Sequence, residues 1–305
     1  MKRLISCHAS DLKTMNGRQL KQAIAASEGR VIVSEVIPTV APLYREITNI
    51  ELAAAFGADL ILLNLFDVLK PHIIGWENIE PENLIRETKK LTGRPIGVNL
   101  EPVDPKANAI EKLTQLPKGR LASKETFKAV KALGFDFICL TGNPKTGVTN
   151  TEILEAIQTA KIVLGDDCLI IAGKMHGAGI NGESGDNILS RETIKAFAEA
   201  GADVILIPSP GTLPGVTNDI ALDWINAVKH EDCLAMSVIG TSQEGADEAT
   251  LRQIALNNKM IGADIHHIGD AGYTGIAVPE NIMAYSIAIR GRRHTHVRMA
   301  SSILR

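Results

Sequence analysis

Several features that would name a protein class are missing from this chain. Its four cysteines, Cys7, Cys139, Cys168 and Cys233, fall in no CxxC or other metal-ligand spacing, so neither a zinc knuckle nor a disulfide framework is expected. Three of them lie in strand-like runs, where a small buried thiol is ordinary. There is no HExxH pair. No apolar run approaches the length of a membrane span, and the Met1-Lys2-Arg3 start lacks the apolar stretch of a secretion signal. These absences lead to the expectation of a cytoplasmic protein with no membrane partner. No Ser/Gly tract, charge block or low-complexity segment marks a linker. A net charge of −3 gives no whole-protein attraction for nucleic acid, which is not an expected partner. The one local exception, Arg290, Arg292, Arg293, Arg298 and Arg305 with His294 and His296, reads as a solvated last helix or as a subunit contact in a homo-oligomer.

What the chain has is a repeat. Four times a Gly-x-Asp tripeptide runs into an apolar stretch: Gly57-Ala58-Asp59, Gly134-Phe135-Asp136, Gly201-Ala202-Asp203 and Gly262-Ala263-Asp264. Each follows a helix-period segment, with glycine where a helix end wants a left-handed residue. Further apolar runs, Val31 to Ile37, Pro95 to Leu100, Cys168 to Lys174 and Cys233 to Ile239, lie between the copies. Eight strands alternating with eight helices predict an α/β chain closed into a single (β/α)8 TIM barrel. Asp11 to Ser27 reads as an extra N-terminal helix capped by Asn16 and covering the barrel floor or an interface. The expected organisation is one domain over residues 1–305, with a helical extension at 1–28 and the barrel with its C-terminal helix at 29–305. Lys70 to Glu80, with Trp76, is an upper-loop insertion, either a lid or a packed support.

Barrel strands point alternate side chains inward. In the third strand Ile96, Val98 and Leu100 face helices, which turns Gly97, Asn99 and Glu101 inward. Matching Gly29-Arg30 to Gly93-Arg94 places Glu35 level with Asn99. The fifth strand is read with Ala172, Lys174 and His176 inward. The repeat aligns Leu62, Cys139, Leu206 and His267 in one inward column, with Asn64 and Thr141 two residues further on. His266 falls in the outer column, as a packing or hydrogen-bonded histidine. The four repeated aspartates lie at strand starts and read as structural.

Catalytic groups belong at the C-terminal strand ends. The candidates are Lys174, as a Schiff-base nucleophile or a fixed cation, with Glu35, His176, Asn99 and Glu101. Glu35, Glu101 and His176 with Asp67 could instead hold a divalent cation, with Mg²⁺ as the cofactor. Asn64, Thr141, Asn143 and His267 are candidate substrate-binding groups. Two glycine-bearing loops, Gly240, Thr241 and Ser242 after the seventh strand and Gly269, Asp270, Ala271 and Gly272 after the eighth, form a candidate phosphate cradle. The partner is then a small phosphorylated or carboxylated metabolite, and the function a lyase or isomerase working by carbonyl or enolate chemistry. Alternatives are a Mg²⁺-dependent phosphonomutase or lyase-like enzyme, and a non-catalytic metabolite-binding regulatory barrel.

The start Lys2-Arg3-Leu4-Ile5-Ser6-Cys7, the segment Ala53 to Asn64 and the ending His266-His267-Ile268-Gly269-Asp270-Ala271-Gly272-Tyr273 resemble a bacterial family of phosphate-binding TIM barrels sometimes labelled phosphoenolpyruvate phosphonomutase-like. The resemblance covers nearly the whole chain and implies the fold. Characterised phosphonomutase and isocitrate-lyase relatives carry a Mg²⁺-holding Asp-Asp pair and, in the lyases, a Lys-Lys-Cys-Gly-His loop. Neither stands at a matching position here, and Asp166-Asp167 precedes the fifth strand at the barrel floor.

Overall fold

Eight parallel strands close on themselves in chain order. They are β1 (Val31–Val36), β2 (Leu60–Leu63), β3 (Ile96–Leu100), β4 (Phe137–Leu140), β5 (Leu169–Gly173), β6 (Val204–Pro208), β7 (Leu234–Ile239) and β8 (Ile265–Ile268). The computed structural model describes residues 2–110, 112–272 and 274–305, so Tyr273 of the ending quoted above lies outside the described residues. The expected (β/α)8 TIM barrel is the observed fold. The barrel is sealed by β8 against β1, with Val33 beside His267.

The Gly-x-Asp repeat has a physical explanation. Gly57, Gly134, Gly201 and Gly262 all take positive φ, between 81° and 109°, which lets each helix end and the chain turn into the next strand. Each following aspartate then fastens two strands at the floor. The Asp59 carboxylate accepts the Ile32 N–H at 2.9 Å, Asp136 that of Ile96 at 2.8 Å, Asp203 that of Ile170 at 3.0 Å and Asp264 that of Ala235 at 2.9 Å. The backbone N–H of the same aspartate returns a bond to that residue's carbonyl in every copy.

Two cores follow from strand alternation. Val31, Val33, Leu62, Phe137, Cys139, Ile171, Leu206 and Met236 fill the barrel interior, whereas Ile32, Ile61, Val98, Ile138, Ala172 and Ile205 pack against the outer helices. The Leu62, Cys139, Leu206 column therefore points inward as expected. In the outer column, His266 Nε2 donates to the Gly29 carbonyl at 2.9 Å, and the ring meets Tyr285 edge to face.

The predicted N-terminal helix is two, α1 (Ala9–Leu12) and α2 (Gly17–Ala25). Asn16 caps only the second, accepting from Gln19 N at 2.9 Å. Leu20, Ala23 and Ile24 of α2 join Leu4 and Cys7 in the interior cluster and plug the floor. The C-terminal helix α3 (Pro279–Ala300) is kinked at Gly291 and contributes two of the C-terminal arginines to the fold. Arg290 and Arg298 are buried and both bind Asp59, so these two form no solvated face. Trp76 packs, half-buried, against the helix-side core, and Ile74 N donates to Pro38 O at 3.0 Å, so the 70–80 insertion supports the first upper loop. Among the described residues no helix is long and apolar enough to cross a membrane. All four cysteines are free and buried.

Candidate active site

Polar residues of the mouth stand late in the inward rows of five strands. Glu35 ends the inner row of β1, Asn64 follows Leu62 on β2, Asn99 follows Gly97 on β3, Thr141 follows Cys139 on β4, and His267 stands on β8. All five are buried. The loop after β8 adds Asp270 and is held in place from outside: Ile37 N donates to Gly275 O at 2.8 Å, and Asn49 Nδ2 donates to Thr274 O at 2.6 Å.

Amide hydrogen bonds organise this ring. Asn64 Nδ2 donates to Asp270 Oδ2 and to Asn143 Oδ1, each at 2.9 Å. Its Oδ1 accepts from Asn143 Nδ2 at 3.0 Å and from Asn99 Nδ2 at 3.2 Å. Asn64 thus joins the ends of β2, β3, β4 and β8. Around it, Asn99 Oδ1, Thr141 Oγ1, both ring nitrogens of His267 and Glu244 Oε2 are buried without a hydrogen-bond partner among the described residues. Buried polar groups are almost always paired, and a cluster of unpaired ones is characteristic of a place built to meet a ligand.

Electrostatics separate the acids by role. Burial, reinforced by Glu244 and Glu101, raises the Glu35 carboxyl to about 8. Burial and the nearby Glu35 raise Asp270 to about 7, against the hydrogen bond from Asn64 that favours its ionised form. Burial lowers His267 to about 4, although Glu244 and Asp270 favour its charge. The 3.2 Å approach of His267 Nε2 to Glu35 Oε2 is therefore a contact between a neutral imidazole and a largely neutral carboxyl at pH 7. Its alignment does not satisfy a hydrogen bond, since Nε2 is among the unpaired atoms.

Glu244 is a member of the mouth that sequence reasoning missed. It sits in a single 3-10 turn, Gln243–Gly245, and its Oε1 accepts the Ala271 N–H at 3.2 Å. Burial raises its carboxyl above the usual range. The only signal in the chain was an acid inside a glycine-bearing loop after a barrel strand. Asp270, expected as a backbone donor in a phosphate cradle, instead turns its side chain into the mouth, where it accepts from Asn64.

Other candidates are placed elsewhere. On β5, Ile171 and Met175 belong to the interior cluster and Ala172 to the helix side, which reverses the expected face. The run Leu169–Gly173 is apolar on both faces, so polarity could not reveal the alternation. Lys174 accordingly points away from Glu35, and its Nζ binds Glu183 Oε2 at 2.8 Å. His176 Nδ1 accepts from Ala178 N at 3.1 Å, and burial, with Lys174 beside it, lowers the ring to about 4. Glu101 faces inward but is held by Arg120 on one oxygen and by Asn143 N, at 2.9 Å, on the other. Asp67 accepts from the Leu69 and Lys70 N–H groups at 2.9 and 3.0 Å, closing its own turn. Among the described residues no group of three or more His, Cys, Asp or Glu is arranged to hold a metal ion, so Glu35, Glu101, His176 and Asp67 do not form the expected Mg²⁺ set.

Gly240, Thr241 and Ser242 line a cavity of about 390 Å³ with Lys145, His176 and Gly177 to Ile180, a set that excludes residues 269–272. In the second loop, the Ala271 N–H is taken by the protein's own Glu244 carboxylate. A Cβ at Gly269 would come within 2.7 Å of Glu244 Oε1, and one at Gly272 within 2.5 Å of Val278 N. That half of the predicted cradle faces protein.

A family profile described as Domain of unknown function (DUF7916) matches residues 5–305. The chain belongs to the DUF7916 family. The match carries no phosphonomutase-like label. Comparison with curated proteins gives no match. Among solved structures, this chain is similar to the complete multifunctional pyruvate carboxylase of Rhizobium etli, with 13% identity and a TM-score of 0.53 over 96% of this chain and 30% of that one. It is also similar to the carboxyl transferase domain of that enzyme with pyruvate, with 11% identity and a TM-score of 0.53 over 98% of this chain and 52% of the other. A thiamine phosphate pyrophosphorylase from Pyrococcus furiosus matches at 12% identity and a TM-score of 0.48, over 86% of this chain and 96% of that one. The chain spans about half or less of the two Rhizobium etli chains. At such identities the likeness is one of fold, and function has to be argued from the site.

Proposed function

We propose that this DUF7916 chain is a proton-transfer enzyme, a lyase or isomerase that works through an enol or enolate of a small hydroxy-carbonyl metabolite. The observation that carries this reading is the pair of mouth carboxyls, Glu35 and Asp270, raised to about 8 and about 7. A carboxyl balanced near neutrality suits a general base, and one kept protonated above it suits a general acid. Asp270 takes a proton from carbon, and Glu35 gives one to the developing oxyanion or leaving oxygen. Asn99, Asn143 and Thr141 bind the substrate's oxygens as neutral groups, and neutral His267 packs against Glu35 and orients it.

The phosphate or carboxylate of the substrate belongs, in this reading, near Lys145 and the Gly240 to Ser242 turn, away from Glu244 and Asp270, where ionised acids would repel it. The unpaired buried atoms of the mouth favour a ligand site over a mouth closed by its own polar groups, and the raised Glu35 and Asp270 favour an enzyme over a barrel that only binds. The test is isotope exchange. Hydroxy-ketones, keto acids and their phosphate esters are incubated with the protein in D₂O and followed by proton NMR. At least one should exchange a C–H next to its carbonyl, with exchange lost in Asp270→Asn. A complete panel with no enzyme-dependent exchange, or exchange unaffected by Asp270→Asn, contradicts the reading.

A further inference from the structure

We propose that the opposite, N-terminal face of the barrel carries a separate binding site for a small amphiphilic anion, a carboxylate or phosphate on a short hydrocarbon body. A cavity of about 650 Å³ opens there between α1, the end of the helix Leu84–Thr92 and residues 303–305. That volume is within the usual range for small-molecule sites, about 300–1,000 Å³. Pro95 and Asp136, which precede β3 and β4, form its inner edge, so it lies at the strand starts and shares no residue with the mouth.

Its charge is one-sided. Lys13, Arg86, Lys89, Lys90, Arg94 and Arg305 line it, with Arg305 O accepting the Ser10 N–H at 2.8 Å. Against them stand Asp136, paired with Lys89 at 2.7 Å, and Glu87, shared by Lys90 at 2.7 Å and Arg86 at 3.5 Å. The Lys13 ammonium has no hydrogen-bond or ion-pair partner among the described residues, its backbone N–H alone being bonded, to Ala9 O at 3.0 Å. Arg94 is buried, and its guanidinium donates only to the carbonyls of Ala58, Gly93 and Arg298. Burial and the neighbouring Arg298 both work against its charge, a cost that an anion in the cavity would relieve. Leu12, Pro95, Ile303 and Leu304 supply a hydrocarbon wall, with Leu304 92% exposed. Excess cations beside an apolar wall fit a ligand with one end of each kind.

Decyl phosphate and decanoate, below their micelle concentrations, are the probes for the two head groups, with decanol and inorganic phosphate as the half-ligands, each titrated calorimetrically. Saturable one-to-one binding of at least one amphiphile is expected, weakening with salt. Lys13→Glu and Arg86→Glu, both at exposed positions, should weaken it on the order of tenfold or more each, a charge reversal at close range. Leu304→Glu should weaken it through the apolar end. Lys128→Glu, on an exposed position of another helix, should leave it unchanged. Absence of saturable binding, equal binding by all variants, or a half-ligand that binds as tightly as the whole overturns the proposal. Melting temperature confirms in each case that the variant is folded.

Discussion

His267 Nε2 stands 3.2 Å from Glu35 Oε2 across the seam where β8 closes on β1. Two groups that would form an ion pair in a wetter place meet here with both charges opposed by burial, and Asp270 follows three residues further along the chain. This closure seam is where the fold brings its acid–base groups together.

Stability should depend on pH through Glu35. Its folded value, about 8, lies above the ordinary 4.5, so between those values the folded state holds the proton that the unfolded state has lost. Stability from this group is then full below pH 4.5 and declines as pH rises towards 8. Glu35→Gln removes the dependence. Relative to the parent, its melting temperature should rise by several degrees between pH 5 and pH 8; a constant difference would show that Glu35 ionises normally.

In the enzyme reading, Asp270→Asn should lower turnover by about 10²–10⁴-fold, the usual contribution of a positioned general base. Asn64→Ala removes the 2.9 Å hydrogen bond that favours ionised Asp270. The acid limb of the rate profile should move to higher pH in that variant, an effect that a loosened fold alone would not produce.

Lys174 should behave as a fixed cation. Borohydride in the presence of a turned-over substrate should leave no adduct on it. Lys174→Met should destabilise the protein by about 1–3 kcal/mol, less than for a fully buried pair because Glu183 keeps some contact with solvent. Mass spectrometry and denaturant titration check the two claims, and an adduct on Lys174 would restore the Schiff-base reading.

The repeated aspartates should not be equivalent. Asp203→Ala leaves one strand N–H without its acceptor, a loss of about 1–3 kcal/mol. Asp59→Ala also strands Arg290 and Arg298 in the interior and should cost more, about 3–5 kcal/mol. Similar losses from urea unfolding would contradict the buried-cluster assignment.

The barrel was legible because its signal is local and repeated: Gly-x-Asp marks four helix-to-strand turns, and in β3 the apolar and polar positions alternate. Glu35, Asn64, Asn99, Thr141 and His267 were recognisable for the same reason, each standing late in an inward row. β5 was not, since Leu169–Gly173 is apolar on both faces and only packing tells Ile171 from Ala172. Glu244 and the true orientation of Asp270 depend on how two loops fold onto each other, where no periodicity operates. Glycines in those loops suggested backbone donors for a ligand, but the structure shows Glu244 already accepting from one of them.

Both mouth carboxyls titrate far above ordinary ones, Glu35 holding its proton through neutrality and Asp270 balanced at it. Carbon-13 NMR titration of protein labelled at the side-chain carboxyls, with Glu35→Gln and Asp270→Asn to assign the resonances, measures both directly. The prediction is a midpoint near 8 for Glu35 and near 7 for Asp270. Midpoints between about 4 and 5 for both, the range of ordinary carboxyls, would contradict it.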